Sequence, residues 1–600
     1  MNNFQTLPTL LFKHAQERPN DIALRWKRYG KWKVITWGEY ANNAKQVALG
    51  LERLGIKKGD IVAFLCRNRP EWIYLELGAM IMGVLPFGIF SEIEDREMIY
   101  HYLDISDSKV VLAEDQEQAD KVLDLRKRLP KIQHILVPEF KEVAHYHDPI
   151  FMSFDELLEL GKEELKKNPG RPDEAVKKLD SHGPCLLSTT SGTTGLPKMA
   201  VLSSQNFISM AQGMNEIDPV RSDQNYVSSL TTAWTGERMM SIAWAIVSGF
   251  IVNFPESNNT IMRDLREIAP VVLFQPPRMW EGIQASIQIG INDTSPLKRI
   301  AYRWLLNYAV KTEEKRLKKQ PVPWKDKLFK NLAEVVVLRK VRDYFGLSNV
   351  LYVYTGGAAL GPDVVLFFRG LGINIKQIFG QSESSGIAFV HRNDDIKLES
   401  VGKPLKGIEV DITDIGEIRM RGISVFLGYY NNPEATAKTL RDGWLHTGDY
   451  GFIDEDKHLV VIDRLTEMMK TEGGTSFSPQ YLETKFKFSP YIREAVAFGH
   501  QKPYIVMLFQ IDMQVVGNWA ERRNIPYTTF TDLASKPEVY KLIEGEFNRI
   551  NELIPKQMRP KRFGLLKKQL DPELGEITYT AKIRRDIIMK RHEELFKSLY

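Results

Sequence analysis

Ten consecutive residues, Thr189-Thr190-Ser191-Gly192-Thr193-Thr194-Gly195-Leu196-Pro197-Lys198, hold five hydroxyl side chains, two glycines and a terminal lysine. The residues on either side, Cys185–Thr189 and Met199–Ser203, read as strands. This turn therefore joins a strand to a strand. A Walker A loop would instead carry Gly-Lys-Ser/Thr directly into a helix; here Pro197 precedes the lysine and the apolar Met199-Ala200-Val201-Leu202 follows it. Glycine lets backbone N–H groups come close to an anion, and hydroxyls and a lysine add donors and charge. That is the chemistry of a loop that cradles a polyphosphate. A Ser/Thr/Gly surface loop with no ligand has the same composition, so the reading depends on partners elsewhere in the chain.

At 600 residues the chain exceeds what one hydrophobic core supports, which predicts at least two domains. Apolar residues make up 43% and charged residues 26%, the balance of a globular protein rather than a disordered one. With 81 Lys and Arg against 76 Asp and Glu, the formal charge is +5, too small for a bulk nucleic-acid binder. Basic residues gather in Lys311–Arg342 and Lys556–Lys568. Such clusters are most often solvated helix faces; some hold anionic ligands or lipid surfaces. The two cysteines, Cys66 and Cys185, fit no metal spacing or disulfide framework and suit a reducing compartment. Met1–Gln5 lacks the basic and apolar blocks of a signal peptide. Gly78–Phe90 and Met239–Phe254 fall short of the roughly 20 apolar residues a spanning helix needs, so they read as buried core. A cytoplasmic protein is expected, with peripheral contact to a membrane left open.

Thr36 caps a helix that begins at Trp37, Asp60–Leu65 is an apolar strand, Arg69–Met82 is a helix with Pro70 at its start, and Lys109–Ala113 is a strand. This alternation predicts α/β layers. The charged stretch Asp115–Lys178 is expected to be peripheral. Lys298–Arg342 reads as helices broken at Gln320–Pro323. From Gly402 the texture changes to short strands with Gly/Asp turns, including Gly416–Gly422 and Leu459–Ile462, and a small α+β unit follows.

Five further segments, together with the loop, resemble the adenylate-forming superfamily in its order. Tyr354-Thr355-Gly356-Gly357-Ala358-Ala359-Leu360 resembles the glycine-rich wall against which adenine lies. Phe379-Gly380-Gln381-Ser382-Glu383 resembles Tyr-Gly-x-Thr-Glu, with Phe for Tyr and Ser for Thr. Asp442-Gly443-Trp444-Leu445-His446-Thr447-Gly448-Asp449 matches the W-x-x-T-G-D segment. Val461-Ile462-Asp463-Arg464 matches the hinge, although Leu465-Thr466-Glu467 lacks the lysine that usually follows. Gly575–Lys582 resembles the C-terminal loop that carries a catalytic lysine. Each motif alone is weak; six in order from Thr189 to Lys582 are not.

The resemblance implies an α/β fold: a large N-terminal domain, residues 1–463, of layered α/β subdomains, and a small mobile α+β domain, residues 464–600. It implies an ATP-binding set of Thr190, Ser191, Gly192, Thr193, Thr194, Gly195, Lys198, Gly357, Ala358, Phe379, Gly380, Ser382, Asp449, Arg464 and Lys582. Phe379 would stack on adenine, Ser382 would meet the α-phosphate, and Asp449 and Arg464 would hold the ribose. Lys582, Glu383 and Arg464 are the implied catalytic residues, and Thr190 and Glu383 the implied Mg²⁺ ligands. The segment Pro270–Glu281, with Pro276-Pro277-Arg278-Met279-Trp280-Glu281 at its end, and the insertions at Lys298–Arg342 and around Gln116–Lys178 resemble long-chain acyl-CoA synthetases, which implies a fatty carboxylate, ATP and coenzyme A as substrates. Gly473 and Gly474 resemble the pair beside the pantetheine tunnel.

Three positions depart from that branch. Trp234 stands where histidine is usual, just before Glu237-Arg238; Met199 replaces a glycine and Ser204 a histidine. Trp234 and Gly236 are assigned to the acyl site, where the indole shapes or gates a tunnel or serves as a core aromatic. The acyl site is expected to be separate from the adenine wall. Two alternatives remain: the same fold making acyl-adenylates for a carrier protein or from a non-fatty acid, and a catalytically silent member that only binds nucleotide or acyl ligand.

Overall fold

The computed structural model describes residues 5–190, 197–487, 489–571, 574, 576 and 583–600. The chain divides into two compact units. The first contains residues 1–411, 419–447 and 453–459; the second contains 412–418, 448–452 and 460–600.

The first unit is built on two large sheets. In one, the strands run in the order 428–429, 198–203, 184–190, 85–89, 61–65, 110–113, 134–137, 151–153. From Pro184–Thr190 to Phe151–Ser153 every pairing is parallel. In the other, the order is 403–404, 389–390, 375–379, 352–355, 272–274, 225–227, 251–254, 22–28, 31–36. Its strands from Ile375–Phe379 to Ile22–Arg28 are parallel, with antiparallel strands at both edges.

The local structure follows from the residues. Thr36 accepts from Glu39 N while Glu39 reaches back to Thr36 N, a reciprocal cap that starts the helix Trp37–Arg53. The helix Pro70–Ile81 begins at proline, and all but Glu71 of its residues are buried. A helix apolar all round belongs in a core. Met239–Phe254 is likewise interior: a helical turn Thr235–Arg238 runs into a π-helix, Met239–Trp244, and then into the buried strand Ile251–Phe254.

The charged stretch Asp115–Lys178 is not peripheral. Its strands His134–Val137 and Phe151–Ser153 complete the edge of the first sheet, and Leu125, Ile135, Val137 and Phe151 join its core. Strands of four and three residues are too short to show a period among flanking charges. The insertion forms helices Pro296–Leu317 and Trp324–Ala333, separated at the prolines, then a π-helical segment Glu334–Leu338 and a helix Arg339–Tyr344.

The second unit has its own core. Ile492–Phe498 pairs antiparallel with Val506–Ile511, which pairs parallel with Arg562–Leu565. Phe486, Phe509, Phe547 and Phe563 meet beneath this sheet, with Phe486 and Phe547 stacked 5.5 Å apart. Cys66 and Cys185 are free thiols. Among the described residues no helix is long and apolar enough to cross a membrane.

Candidate active site

Parallel sheets place loops at the carboxyl ends of their strands, where α/β folds collect ligands. Several of the predicted residues of the first unit lie there. Tyr352–Thr355 ends at Gly356-Gly357-Ala358, Ile375–Phe379 at Gly380, and Asn225–Val227 leads through Ser228 to Trp234. Gly380 has no room for a side chain: a Cβ would stand 2.4 Å from the Gly386 carbonyl oxygen. Gly357 takes a φ of +87°, a conformation glycine adopts without strain.

The phosphate-loop candidate is a hairpin. Pro184–Thr190 pairs antiparallel with Lys198–Ser203, so that Thr190 faces Lys198 across the ladder. The Thr190 hydroxyl donates to the Lys198 carbonyl at 3.3 Å. Ser191, Gly192, Thr193, Thr194 and Gly195 lie outside the described residues.

The Ser382–Ser384 turn is tied to this hairpin. Ser382 Oγ donates to the Thr189 carbonyl at 3.1 Å and accepts from Thr235 Oγ1 at 2.9 Å. Thr235 Oγ1 is 2.5 Å from Ser188 Oγ, closing a chain of hydroxyls between the two sheets. Glu383 accepts from Tyr429 Oη at 2.7 Å, and the Phe426 N–H donates to its carbonyl at 2.8 Å. The same Tyr429 ring lies under Lys198, with Nζ 4.9 Å from its centroid. Tyr429 reaches this position because Gly428-Tyr429 pairs with Val201-Ala200 at the hairpin's outer edge. Glu383, Tyr429 and Lys198 thus form one cluster at the start of the second hairpin strand. Gln381 Nε2 donates to the Thr447 carbonyl at 2.9 Å.

Among the described residues no group of three or more His, Cys, Asp or Glu is placed to cage a metal. Mg²⁺ does not require one: it favours one or two carboxylates completed by phosphate oxygens and water. Glu383, with the Thr190 hydroxyl on the adjoining hairpin, fits that donor set.

Trp234 is half-buried, and its position departs from the sequence expectation. Its ring stacks on Phe274 at 5.4 Å and covers Gly236, where a Cβ would meet ring carbons at 2.7–2.8 Å. The far edge of the ring, Cζ2, stands 3.8 Å from the Cβ position of Gly357. Acyl candidate and adenine wall are therefore neighbours, not separate. The strand that ends in Phe274 lies between those leading to Trp234 and Gly357, so the ring bridges three strand ends.

Glu237 and Arg238, which follow, are fully buried. Glu237 accepts from Tyr226 Oη at 2.7 Å, Ser228 Oγ at 2.6 Å and Leu230 N at 3.3 Å. Burial pushes its carboxyl up to about 8, against the pull of these donors. Arg238 Nε is 3.3 Å from Glu76, and Nη1 donates at 2.8 Å to the Leu187 carbonyl on the loop's leading strand. Burial pushes the Glu76 carboxyl up and lowers the Arg238 guanidinium, each opposed by the other's charge. These two residues support the site from beneath.

In the second unit, Arg464 Nε lies 3.2 Å from Asp449 Oδ1, and Asp449 is buried. Asp463 accepts from Arg464 N at 2.8 Å and from the hydroxyl of Ser478, which in turn accepts from Tyr481 N at the start of helix Pro479–Lys487. Gly473 and Gly474 form the turn between short strands Met469-Lys470 and Ser476-Phe477, with Gly474 at a φ of +79°. Lys582 lies outside the described residues.

Sequence reading named Glu383, Ser382 and Gly380 but missed Tyr429, Thr235 and Ser188. No signal marks Tyr429, since its two-residue strand has no period to read. Thr235 sits between the named Trp234 and Gly236, and only the fold shows that its hydroxyl meets Ser382.

Over 597 residues the chain is 29% identical to the long-chain-fatty-acid–CoA ligase FadD15 of Mycobacterium bovis, covering 98% of this chain and 96% of that one. It is 28% identical to the human long-chain-fatty-acid–CoA ligase ACSBG1, covering 98% of this chain and 84% of that protein. Among solved structures, apo MatB from Rhodopseudomonas palustris superposes with a TM-score of 0.66 at 17% identity over 99% of this chain and all of that one. The anthranilate CoA ligase AuaEII in complex with anthranoyl-AMP does so with 0.65 at 18% identity, over 98% of each chain. The fold is theirs. The model of the family described as AMP-binding enzyme matches residues 11–430, more than half of the chain, and the chain belongs to that family.

Proposed function

We propose that this protein is an ATP-dependent acyl-CoA ligase acting on a fatty carboxylate. A carboxylate oxygen attacks the α-phosphorus of ATP, pyrophosphate leaves, and acyl-adenylate forms. The CoA thiolate then attacks the acyl carbonyl; the carbon–oxygen bond to AMP breaks, giving thioester and AMP. The cluster of Glu383, Tyr429 and Lys198 at the hairpin is the observation that carries the reading, because it holds an anchored carboxylate and a cation at the strand that follows a sequence suited to phosphate. The names of the full-length relatives support the same reaction.

Each residue then has a task. Thr190, Lys198 and residues 191–195 bind the phosphates, and Ser382 meets the α-phosphate. Gly357, Ala358 and Phe379 bound the adenine, with Gly380 admitting close backbone approach. Asp449 and Arg464 hold the ribose. Thr190 and Glu383 hold Mg²⁺, which supplies charge neutralisation on the phosphates when bound. Lys582 bridges carboxylate and α-phosphate. Asp463 is the pivot between segments 1–463 and 464–600, and Gly473 and Gly474 let the pantetheine arm pass close to backbone.

Pyrophosphate release across a carboxylate panel, with and without CoA, tests the reading. Long-chain acids with CoA should give sustained release and consumption of free thiol. Acyl-adenylate released with CoA untouched would favour a carrier-protein acceptor, and absence of release with every acid would favour a silent member.

Glu383→Gln should raise the Mg²⁺ concentration for half-maximal rate by at least about 10–100-fold, the range for losing even an outer-shell partner. The amide oxygen can still accept from Tyr429, so thermal stability should hold. Full activity at limiting Mg²⁺ would remove Glu383 from the ligand set.

Trp234→Ala should shift the ranking of fatty acids by length. Each methylene newly buried is worth about 0.8 kcal/mol, roughly fourfold in relative kcat/KM. Because the indole also borders Gly357, the KM for ATP should rise as well. A lower melting temperature with an unchanged ranking would make Trp234 a core aromatic only.

A further inference from the structure

The insertion carries a surface that the ligase chemistry does not use. On helix Pro296–Leu317, Leu297, Ile300 and Trp304 recur at helical spacing and point to solvent, while Tyr302, Leu305, Leu306 and Ala309 bury the opposite side. On Trp324–Ala333 and the π-helical segment after it, Trp324, Leu328, Leu332, Val335 and Val336 form a second exposed stripe. Exposure reaches 81% at Leu297, 69% at Trp324 and 73% at Val335. The two helices pack side by side: Trp304 meets Phe329 edge-on at 5.4 Å, and Tyr308 Oη donates to Asp326 at 2.6 Å. The chain reverses between them at Pro321–Pro323, and Trp304, in the first stripe, reaches Phe329 beside Leu328 of the second, so the two stripes together make up the apolar band.

Charge around the band is one-sided. Residues 296–345 hold fourteen Lys and Arg against five Asp and Glu, a net of +9 in a chain whose total is +5. Four of the acids are occupied by neighbours: Glu313 pairs with Lys330 and Arg369, Glu314 with Lys318, Asp326 with Lys315, and Glu334 with Arg342. Lys298, Lys325, Lys327, Arg339 and Lys340 are exposed and make no ion pair among the described residues. An apolar stripe with tryptophans, flanked by unpaired cations, is the composition of helices that lie in a bilayer interface. Exposed apolar bands of this extent mark interaction sites on otherwise polar surfaces.

We propose that the face formed by helices 296–317 and 324–344 docks on an anionic lipid bilayer. The aliphatic and indole side chains enter the headgroup–acyl boundary, and the lysines meet lipid phosphates. A protein partner would have to offer both an apolar groove and an acidic rim; an anionic membrane offers both everywhere on its surface.

Vesicle flotation of the full chain tests this, with phosphatidylcholine vesicles against vesicles that also contain phosphatidylglycerol. The protein should float with the anionic vesicles, and added salt should weaken binding. Joint replacement Lys298→Glu, Lys325→Glu, Lys327→Glu and Lys340→Glu should weaken it by at least about a hundredfold, since each cation near the surface is worth about 1 kcal/mol, roughly fivefold. Leu297→Ser with Trp324→Ser and Val335→Ser should weaken it by about tenfold or more, while circular dichroism and melting stay unchanged, because these side chains are largely solvent-exposed. Equal binding to neutral vesicles, binding unchanged in either variant, or no binding by the native chain would overturn the proposal. Self-association abolished by the serine variant, without flotation, would instead make the band a contact between copies. Flotation reads no catalysis, so its outcome and that of the ligase assays are independent.

Discussion

Lys582→Ala is expected to slow acyl-adenylate formation by about 10²–10³-fold, the cost of losing one preorganised donor at a developing charge. Two anions, a carboxylate and the α-phosphate, must meet in the first step, and a lysine between them offsets both. Nothing comparable is required when a thiolate attacks the uncharged carbonyl of the adenylate. Thioester formation from supplied acyl-adenylate should therefore stay within about twofold of the native rate, since a residue used in one transition state leaves the other unaffected. Pre-steady-state measurement of each half-reaction separates them. Equal losses in both would show that Lys582 has a structural role, or serves the whole cycle, rather than the first step alone.

The second large effect is on stability. Arg238 and Glu76 are both fully buried, and Arg238 Nη2 and Glu76 Oε1 have no hydrogen-bond partner among the described residues. Arg238→Ala would leave Glu76 as an uncompensated carboxylate in the core, which costs about 3–5 kcal/mol. It would also remove the donor to Leu187, on the strand that carries the phosphate loop. Replacing both partners by apolar groups, Arg238→Met with Glu76→Leu, should recover most of the loss, because isosteric apolar pairs often match a buried ion pair. Denaturant titration of the native protein and the two variants reads this directly. A single variant that costs less than about 1 kcal/mol, the value of an exposed pair, would mean the site is wetter than its burial indicates.

The elements most legible in the sequence were those with long apolar runs and sharp ends. The strands Pro184–Thr190 and Lys198–Ser203 lie within a residue of the stretches read from composition, because Gly and Pro punctuate the turn between them. The helix Pro70–Ile81 and the Thr36 cap were legible for the same reason: proline at a first turn and a threonine three residues before a glutamate are local signals. The break between the insertion's helices followed from Pro321 and Pro323.

What could not be read came from long-range pairing. Tyr429 touches Glu383 only because a two-residue strand joins the hairpin's edge. The placement of Trp234 against Gly357 needs the strand order, which sets Phe274 between them. The strands within 115–178 were masked by neighbouring charges. Motifs named residues of the candidate site; sheet topology decided which of them meet. The burial of Glu237 and Arg238, charged residues in a polar-looking segment, likewise depends on Glu76, Tyr226 and Ser228, none of which the motif contains.

The most direct test of the central claim uses a fatty acid labelled with heavy oxygen in its carboxylate, with ATP and CoA, and mass analysis of the products. If a carboxylate oxygen attacks the α-phosphorus and the thiolate then breaks the carbon–oxygen bond, one labelled oxygen must appear in AMP and none in pyrophosphate. Label in pyrophosphate or inorganic phosphate, or thioester formed with unlabelled AMP, would contradict the acyl-adenylate route.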